Sequence, residues 1–219
     1  MRIASVSPNL APDESAIAPL PRNCEPLPRG YKRRIYLGNP GTGTDQYGTS
    51  TFGTAYETID RNGNFVSSVD TNGAVTNTAP TEFSAFNPAQ AICVPLPDGK
   101  PEVRETWELI NLTTELHNFH IHQAKFVEIQ PQRGSAEDSV PLLPAIAHEG
   151  TRPTLPNSNN PSCTIADFKA TPPRCDVSPV TVEIPFKALG TIVYHCHILE
   201  HEDGGMMQTV KVVRAPASR

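Results

Sequence analysis

Two short clusters of histidine constrain this chain more than any other feature of its sequence. They cover residues 117–122 and 195–201 and hold six of the seven histidines. Cys196 lies inside the second cluster, and Met206 follows it. Imidazole nitrogens, a thiolate and a thioether form a ligand set that suits copper. The two segments therefore indicate a transition-metal site.

Strand geometry sorts these residues into two sets, because side chains two residues apart on a strand project from the same face. If residues 191–197 are extended, the two histidines flanking Cys196 share one face and Cys196 projects from the other. In the first cluster, His120 and His122 share a face, and His117 can lie on the opposite side. One set is then His117, Cys196, His201 and Met206. The other set is His120, His122, His195 and His197.

The two sets predict different chemistry. Two imidazoles and a thiolate with a weak axial thioether match a blue-copper centre for electron transfer. Imidazoles alone suit copper, zinc or iron and can leave coordination positions open for an outside ligand. Because Cys196 is covalently joined to both neighbouring histidines, its main chain offers an electron route between the two sites.

Other interpretations explain fewer of these residues. Closed zinc sites usually use two or more cysteines, whereas only Cys196 lies among these histidines. A nucleophilic Cys196 activated by an adjacent imidazole would leave the first cluster and Met206 without a role. His148 lies outside both clusters and is interpreted as a loop or surface residue.

At these residues the chain resembles the multicopper oxidases, the family of laccases, bilirubin oxidases and bacterial copper-resistance oxidases. Residues 115–122 (ELHNFHIH) resemble the family's third copper motif, and residues 194–207 (YHCHILEHEDGGMM) resemble the fourth in its bacterial form. Asn118 stands where many relatives have proline, a change expected to leave the ligands undisturbed. The resemblance implies that type 1 copper is bound by His117, Cys196, His201 and axial Met206. It also implies that type 2 copper is bound by His120 and the type 3 pair by His122, His195 and His197.

The mechanism implied by the resemblance assigns catalytic roles to five of these ligands. A small reducing substrate gives electrons singly to type 1 copper, at the site of His117 and His201. The electrons pass through Cys196 to His195 and His197, and dioxygen is reduced to water. Phenols, aromatic amines or metal ions are the expected substrates. The chain has only three methionines, and this scarcity favours phenols and aromatic amines over cuprous ions.

The chain departs from the family pattern by lacking two further His-x-His motifs, and no histidine precedes residue 117. Family members supply those motifs from their first cupredoxin domain. We therefore expect a final domain, completed by N-terminal cupredoxin domains of the same enzyme or by a second copy of the chain. A monomer alone is expected to be inactive as an oxidase. The alternatives are a single-domain blue copper electron-transfer protein and a copper-binding module without turnover, and a carrier has no use for the second histidine set.

The predicted fold class is all-β, a Greek-key β-sandwich of the cupredoxin type over residues 31–215. The chain has 219 residues, with 23 prolines, 14 glycines and no sustained helical periodicity, which indicates one turn-rich domain. Residues 1–30 are interpreted as a proline-rich linker or strap. Residues 133–179 are predicted to be an irregular insertion, either a flap near type 1 copper or a solvated connection. The candidate strands, rich in β-branched and aromatic residues, are 34–37, 106–111, 125–130, 181–184, 191–195 and 208–213.

Cysteine use bears on the compartment. The four cysteines other than Cys196 allow three pairings. A Cys163–Cys175 bond would close a short loop, and a Cys24–Cys93 bond would tie the leading segment to the domain. Two disulfides would indicate a periplasmic or secreted protein, and four reduced thiols are the alternative. Residues 1–20 show no signal peptide, which is expected to lie upstream if the chain is a C-terminal portion.

Charge and short motifs complete the sequence-based picture. The net charge of −5 without a basic patch excludes nucleic acid, and no segment predicts a membrane partner. Acidic residues beside His201 form either a solvated turn or an attractant for cationic substrates. The sequon at residues 111–113 precedes the copper motif at the end of a predicted strand and is interpreted as coincidental.

Overall fold

The fold consists almost entirely of β-strands. The computed structural model describes residues 24, 26–39, 52–66, 84–132, 134–148 and 163–215. Two short α-helices, α1 Ile165–Lys169 and α2 Leu199–Asp203, and a 3-10 helix at Pro88–Gln90 accompany the strands in these ranges. The strands are β1 Lys32–Gly38, β2 Gly53–Ile59, β3 Ile92–Pro97, β4 Val103–Asn111, β5 His117–Ile121, β6 Phe126–Gln130, β7 Ala136–Glu137, β8 Ser139–Leu142, β9 Ile146–Ala147, β10 Cys175–Asp176, β11 Val180–Phe186, β12 Gly190–Cys196 and β13 Met207–Ala215.

Two main sheets form a sandwich. The six-stranded sheet has the order β2-β1-β4-β11-β6-β7, and the five-stranded sheet has the order β3-β13-β12-β5-β8. Strand β1 runs parallel to β4, and β13 runs parallel to β3, because the intervening chain passes through the opposite sheet. The all-β sandwich of the cupredoxin type expected from the sequence is confirmed.

The core lies between the sheets and fixes which side chains face outward. Trp107 of β4 contacts Phe119 of β5 and Tyr194 of β12, with ring centroids 6.4 and 5.6 Å apart. All three side chains are fully buried. Burial of each such side chain contributes about 1.5–3 kcal/mol, so these contacts set the register of β5 and β12. Their strand neighbours His120 and His195 must then lie on the other face.

All six candidate strands coincide with strands of the structure, but several strands were missed. The prediction that residues 133–179 are irregular is wrong in part. Their described part contains strands β7 to β10 and helix α1. Strand β8 pairs with β5 at the sheet edge, where its Pro141 is tolerated. Proline interrupts the period-two pattern in this strand and in β3, so the sequence did not reveal either strand. Residues 149–162 of this segment, and all of residues 1–25 except Cys24, lie outside the described residues.

Two disulfides join the four cysteines named above, and both expected pairings are confirmed. Cys24 bonds to Cys93, and Cys163 bonds to Cys175. All five cysteines are described, and only Cys196 is unpaired. Cys163 and Cys175 belong to a second, smaller apolar cluster that includes Tyr36, Ala55, Ile110, Leu112 and Ala145. The bonded cysteines therefore pack against residues of the six-stranded sheet.

We expect the two disulfides to stabilise the fold unequally. They close loops with sequence separations of 69 and 12 residues. By the chain-entropy relation, removal of Cys24–Cys93 should lower the free energy of unfolding by about 4 kcal/mol and removal of Cys163–Cys175 by about 3 kcal/mol. Urea unfolding of the two paired Cys→Ser variants measures both losses. A larger loss from the short loop would contradict the entropic account.

Candidate metal centre

Strands β5 and β12 place the two predicted sets of ligands on opposite faces of one sheet. In their antiparallel register, His195 lies opposite His120, and Cys196 lies opposite Phe119. Burial alternates along β5, so His117 faces the core together with Phe119 and Ile121. Cys196 faces the core as well, whereas His120 and His195 face the other side. The structure thus brings together the residues that strand alternation assigned to each set.

The core-facing group brings three ligand atoms to one point. The Nδ1 atoms of His117 and His201 each lie 3.4 Å from the Sγ of Cys196. The three side chains are buried. Nitrogen and sulfur ligands bound to one ion at about 2.0 and 2.3 Å lie roughly 3.5 Å apart, so the donor set fits a transition metal without rearrangement.

Burial changes the pKa values of two side chains in this group and so sets the form in which each can bind a metal. Loss of solvation, reinforced by the nearby His201, lowers the pKa of His117 to about 3. The imidazole is therefore neutral, with a lone pair available. Burial also raises the pKa of the Cys196 thiol, although the backbone N–H of Asn118 donates to its sulfur at 3.5 Å. A bound cation would supply the charge that ionises this thiol.

Main-chain hydrogen bonds join Met206 to two residues of the core-facing group. The N–H of Cys196 donates to the carbonyl of Met206 at 3.0 Å, and the N–H of Met206 donates to the carbonyl of His201 at 2.9 Å. Met206 is fully buried in the same core cluster as Cys196. The fourth residue of the predicted set is therefore tied through the main chain to Cys196 and His201.

Helix α2 and the turn after it return the chain from Cys196 to Met206. Gly205 adopts φ +96°, a left-handed conformation that favours glycine. A Cβ at this position would lie 2.6 Å from the Cβ of Ala85. Phe52, whose N–H donates to the carbonyl of Gly204 at 3.0 Å, packs on the His201 ring at a centroid distance of 4.4 Å. Segments distant in sequence thus hold the loop that carries His201.

Residues just before β5 contact the outer nitrogens of both buried imidazoles. Thr113 Oγ1 lies 2.6 Å from His117 Nε2, and Glu115 Oε2 lies 2.9 Å from His201 Nε2. Sequence reasoning missed Thr113, Glu115 and Phe52. The signal available for the first two was their position four and two residues before His117. Asn111, the sequon residue, is 3% exposed, which agrees with the coincidental interpretation of the motif.

The outward group gathers the other four histidines less tightly. His122 Nε2 lies 3.1 Å from His195 Nε2, and the ligand atoms of His120, His122 and His195 lie within 4.8 Å of one another. His197 follows the end of β12 and is exposed, with its ring 5.0 Å from that of His120. His148 lies apart and contacts Asp176 at 2.9 Å.

Main-chain carbonyls orient two of these outward rings. His120 Nδ1 donates to the carbonyl of Asp138 at 2.8 Å, and His195 Nδ1 donates to the carbonyl of Cys196 at 3.0 Å. A carbonyl can only accept, so both rings carry hydrogen on Nδ1 and present Nε2 as a ligand. His122 is exposed and His120 half-buried. The group is therefore open on the side away from the core.

Comparison with known proteins gives matches to multicopper oxidases. A family model described as "Multicopper oxidase" matches residues 64–216. Multicopper oxidase mco of Staphylococcus aureus is 29% identical over 118 residues, covering 51% of this chain and 20% of the relative. Multicopper oxidase LPR1 homolog 1 of Oryza sativa subsp. japonica is 27% identical over 138 residues, covering 52% of this chain and 23% of the relative. The chain thus spans about a fifth of the length of these curated relatives.

Solved structures give matches of the same kind. A multicopper oxidase from Campylobacter jejuni, titled a metallo-oxidase, aligns with a TM-score of 0.38 and 22% identity over 62% of this chain and 23% of that chain. The McoA multicopper oxidase of Aquifex aeolicus aligns with a TM-score of 0.38 and 16% identity over 91% of this chain and 32% of that chain.

We expect Gly205→Ala to destabilise the protein more than Gly99→Ala, which is a matched control. Both glycines have positive φ, but a Cβ at Gly99 would meet nothing within 4 Å. The shared backbone strain should cost about 1 kcal/mol in each variant. The contact with Ala85 should cost Gly205→Ala a further 1–3 kcal/mol or so. Equal losses in urea unfolding would show that Ala85 does not constrain the turn.

Proposed function

The chain belongs to the multicopper oxidase family, and we propose that it is the type 1 copper domain of a laccase-like oxidase, carrying half of a trinuclear copper cluster. The observation that carries this proposal is the buried convergence of His117, Cys196 and His201 directly behind an open group of histidines. Members of the multicopper oxidase family are oxidoreductases that use copper.

The buried group supplies the type 1 ligands in this proposal. His117, Cys196 and His201 would hold the copper, with Met206 as the weak axial ligand. Bound copper would accept electrons singly at this centre, and the cluster would pass four of them, with four protons, to dioxygen to give two waters. The protein excludes water from the first centre by burying its ligands. The main chain of Cys196 connects both centres covalently.

The outward group supplies half of the cluster. His120 would bind type 2 copper, and His122, His195 and His197 would bind the type 3 pair. Because this face is open, another cupredoxin domain has to bring the remaining histidines. The partner would be an N-terminal domain of the same enzyme or, through a two-fold interface, a second copy of this chain. A monomer would bind type 1 copper without reducing oxygen.

Exposed leucines on segments near Glu115 and His201 favour phenols and aromatic amines as reductants. Leu116, Leu143 and Leu199 are 49%, 57% and 69% exposed. Leu116 adjoins Glu115, which contacts His201, and Leu199 lies two residues before His201. Exposed apolar side chains close in sequence to a polar contact would suit an aromatic ligand with one polar group. The acidic residues of α2 would favour amines.

Two disulfides support export to the periplasm or outside the cell. Within the described ranges, no helix has the length and apolar character needed to cross a bilayer. The net charge of −5 gives no basis for a nucleic-acid partner.

The first test of this function measures copper content, native mass and oxygen uptake together. The copper-loaded chain should be blue, with an intense thiolate-to-copper absorption band, and Cys196→Ser should be colourless because a hydroxyl cannot replace the thiolate. Oxygen uptake should require a partner domain or a dimer and should be lost in His122→Ala. A different result would identify an electron carrier: a blue monomer whose outward histidines still bind no copper when a partner domain is added.

The second test concerns the axial position. Met206→Leu should raise the reduction potential, because a thioether donor stabilises the oxidised copper and leucine has no donor. Met207→Leu is the control and should leave the potential unchanged. Redox titration of the blue band measures both variants. A shift in the control alone would assign the axial role to Met207.

A further inference from the structure

The last residue of β4, Asn111, and the turn that follows it carry three polar side chains, Asn111, Thr113 and Glu115, to which the proposed function gives no role. We infer that this turn is a clamp for both imidazoles of the buried centre, in which Thr113, anchored by Asn111, fixes the tautomer of His117 while Glu115 fixes His201. The inference rests on the proposed type 1 site and adds the residues that position its ligands.

Hydrogen-bond accounting at Thr113 supports the first half of the clamp. A hydroxyl has one hydrogen to donate and two lone pairs. Two oxygens can accept the hydrogen of Thr113, Asn111 Oδ1 at 2.9 Å and the carbonyl oxygen of Glu115 at 3.3 Å. One lone pair accepts the N–H of Glu115 at 3.2 Å, and the other faces His117 Nε2 at 2.6 Å. His117 then carries its hydrogen on Nε2, which leaves the Nδ1 lone pair facing Cys196.

Asn111 anchors this arrangement to the main chain. Its Oδ1 also accepts the N–H of Thr113 at 2.8 Å, so both hydrogen bonds that this oxygen accepts come from Thr113. Its Nδ2 lies within 2.7–3.2 Å of the carbonyl oxygens of Glu115, Leu142 and Leu143. The amide therefore ties the turn to the end of β8. Asn111 and Thr113 are each 3% exposed, so water does not compete for these bonds.

Glu115 forms the second half of the clamp and, unlike Thr113, offers a carboxylate. Its Oε2 lies 2.9 Å from His201 Nε2, and its side chain is 50% exposed. Because the carbonyl of Glu115 is held by Asn111 and its N–H by Thr113, one short turn fixes the outer nitrogens of both imidazoles. His117 receives a neutral, buried acceptor, and His201 receives a carboxylate at the surface.

These two acceptors should have separable effects on bound copper. Outer partners of ligand histidines typically contribute ten- to a hundredfold to metal affinity. Loss of the Thr113 acceptor should weaken both oxidation states, because the ring is no longer held in place. A carboxylate near the metal instead favours the more positive Cu(II). Loss of the Glu115 charge should therefore change the ratio of Cu(I) to Cu(II) affinity.

Thr113→Val tests the neutral half, with Thr113→Ser as the conservative control. Valine keeps the shape and removes the acceptor, so copper(II) affinity should fall about ten- to a hundredfold. Serine should restore it to within about threefold of the parent. If the Thr113→Val protein binds copper as tightly as the Thr113→Ser protein does, the clamp is wrong. Should Thr113→Val not fold, nitrogen NMR of the unaltered metal-free chain decides: His117 should carry hydrogen on Nε2, and a dominant Nδ1–H form would overturn the inference.

Glu115→Gln tests the charged half, with Glu200→Gln as a control that removes the same charge from exposed helix α2. Glutamine can still accept from His201 Nε2. The Cu(I)/Cu(II) affinity ratio should rise about tenfold, which equals a potential increase of about 59 mV for one electron. The control should shift it by less than half as much. Equal shifts would show a general charge effect and no clamp. A failure of the proposed site itself would be recognised separately, by a missing blue band in the unaltered protein.

Discussion

Alternation of side chains along β5 and β12 is the constraint on which both metal centres depend. Burial of Phe119 and Tyr194 against the opposite sheet fixes the register, and the register sends Cys196 inward and His195 outward. A slip by one residue would reverse every side chain and would expose the thiol. The core therefore does more than stabilise the sandwich, because it decides which ligands meet.

The two centres differ because one lies inside the sandwich and the other on its surface. The inner group is closed by Phe52, by the α2 loop and by the turn that carries Thr113, so its ligands have fixed partners. The outer group is oriented mainly by carbonyl oxygens and keeps an open side. Fixed geometry suits electron transfer, since little has to move when charge changes, whereas open positions suit binding of a small oxidant.

The sequence predicted the fold class and the residues that gather at each centre, because both follow from local rules. A period of two along a strand sorts His117, Cys196 and His120 onto faces without reference to the rest of the chain. The contacts of Phe52 and Glu115 with His201 depend on how distant segments pack, which local spacing does not specify. Strand β8 was missed for a different reason: its proline breaks the pattern of a central strand, and only its edge position makes it possible.

The asymmetry between the two groups is the reason why, in the proposed function, one chain would carry a complete metal site and half of another. Every donor of the inner group comes from β5, from β12 or from the ten residues after Cys196, so folding of the sandwich alone assembles it. The outer group occupies a single face, and a metal cluster enclosed by protein needs ligands from the facing side as well. In the proposed function, formation of the inner site would be coupled to folding, and formation of the outer site would be coupled to association. Because Cys196 is covalently continuous with His195 and His197, association would complete a connection whose first half the fold has already built.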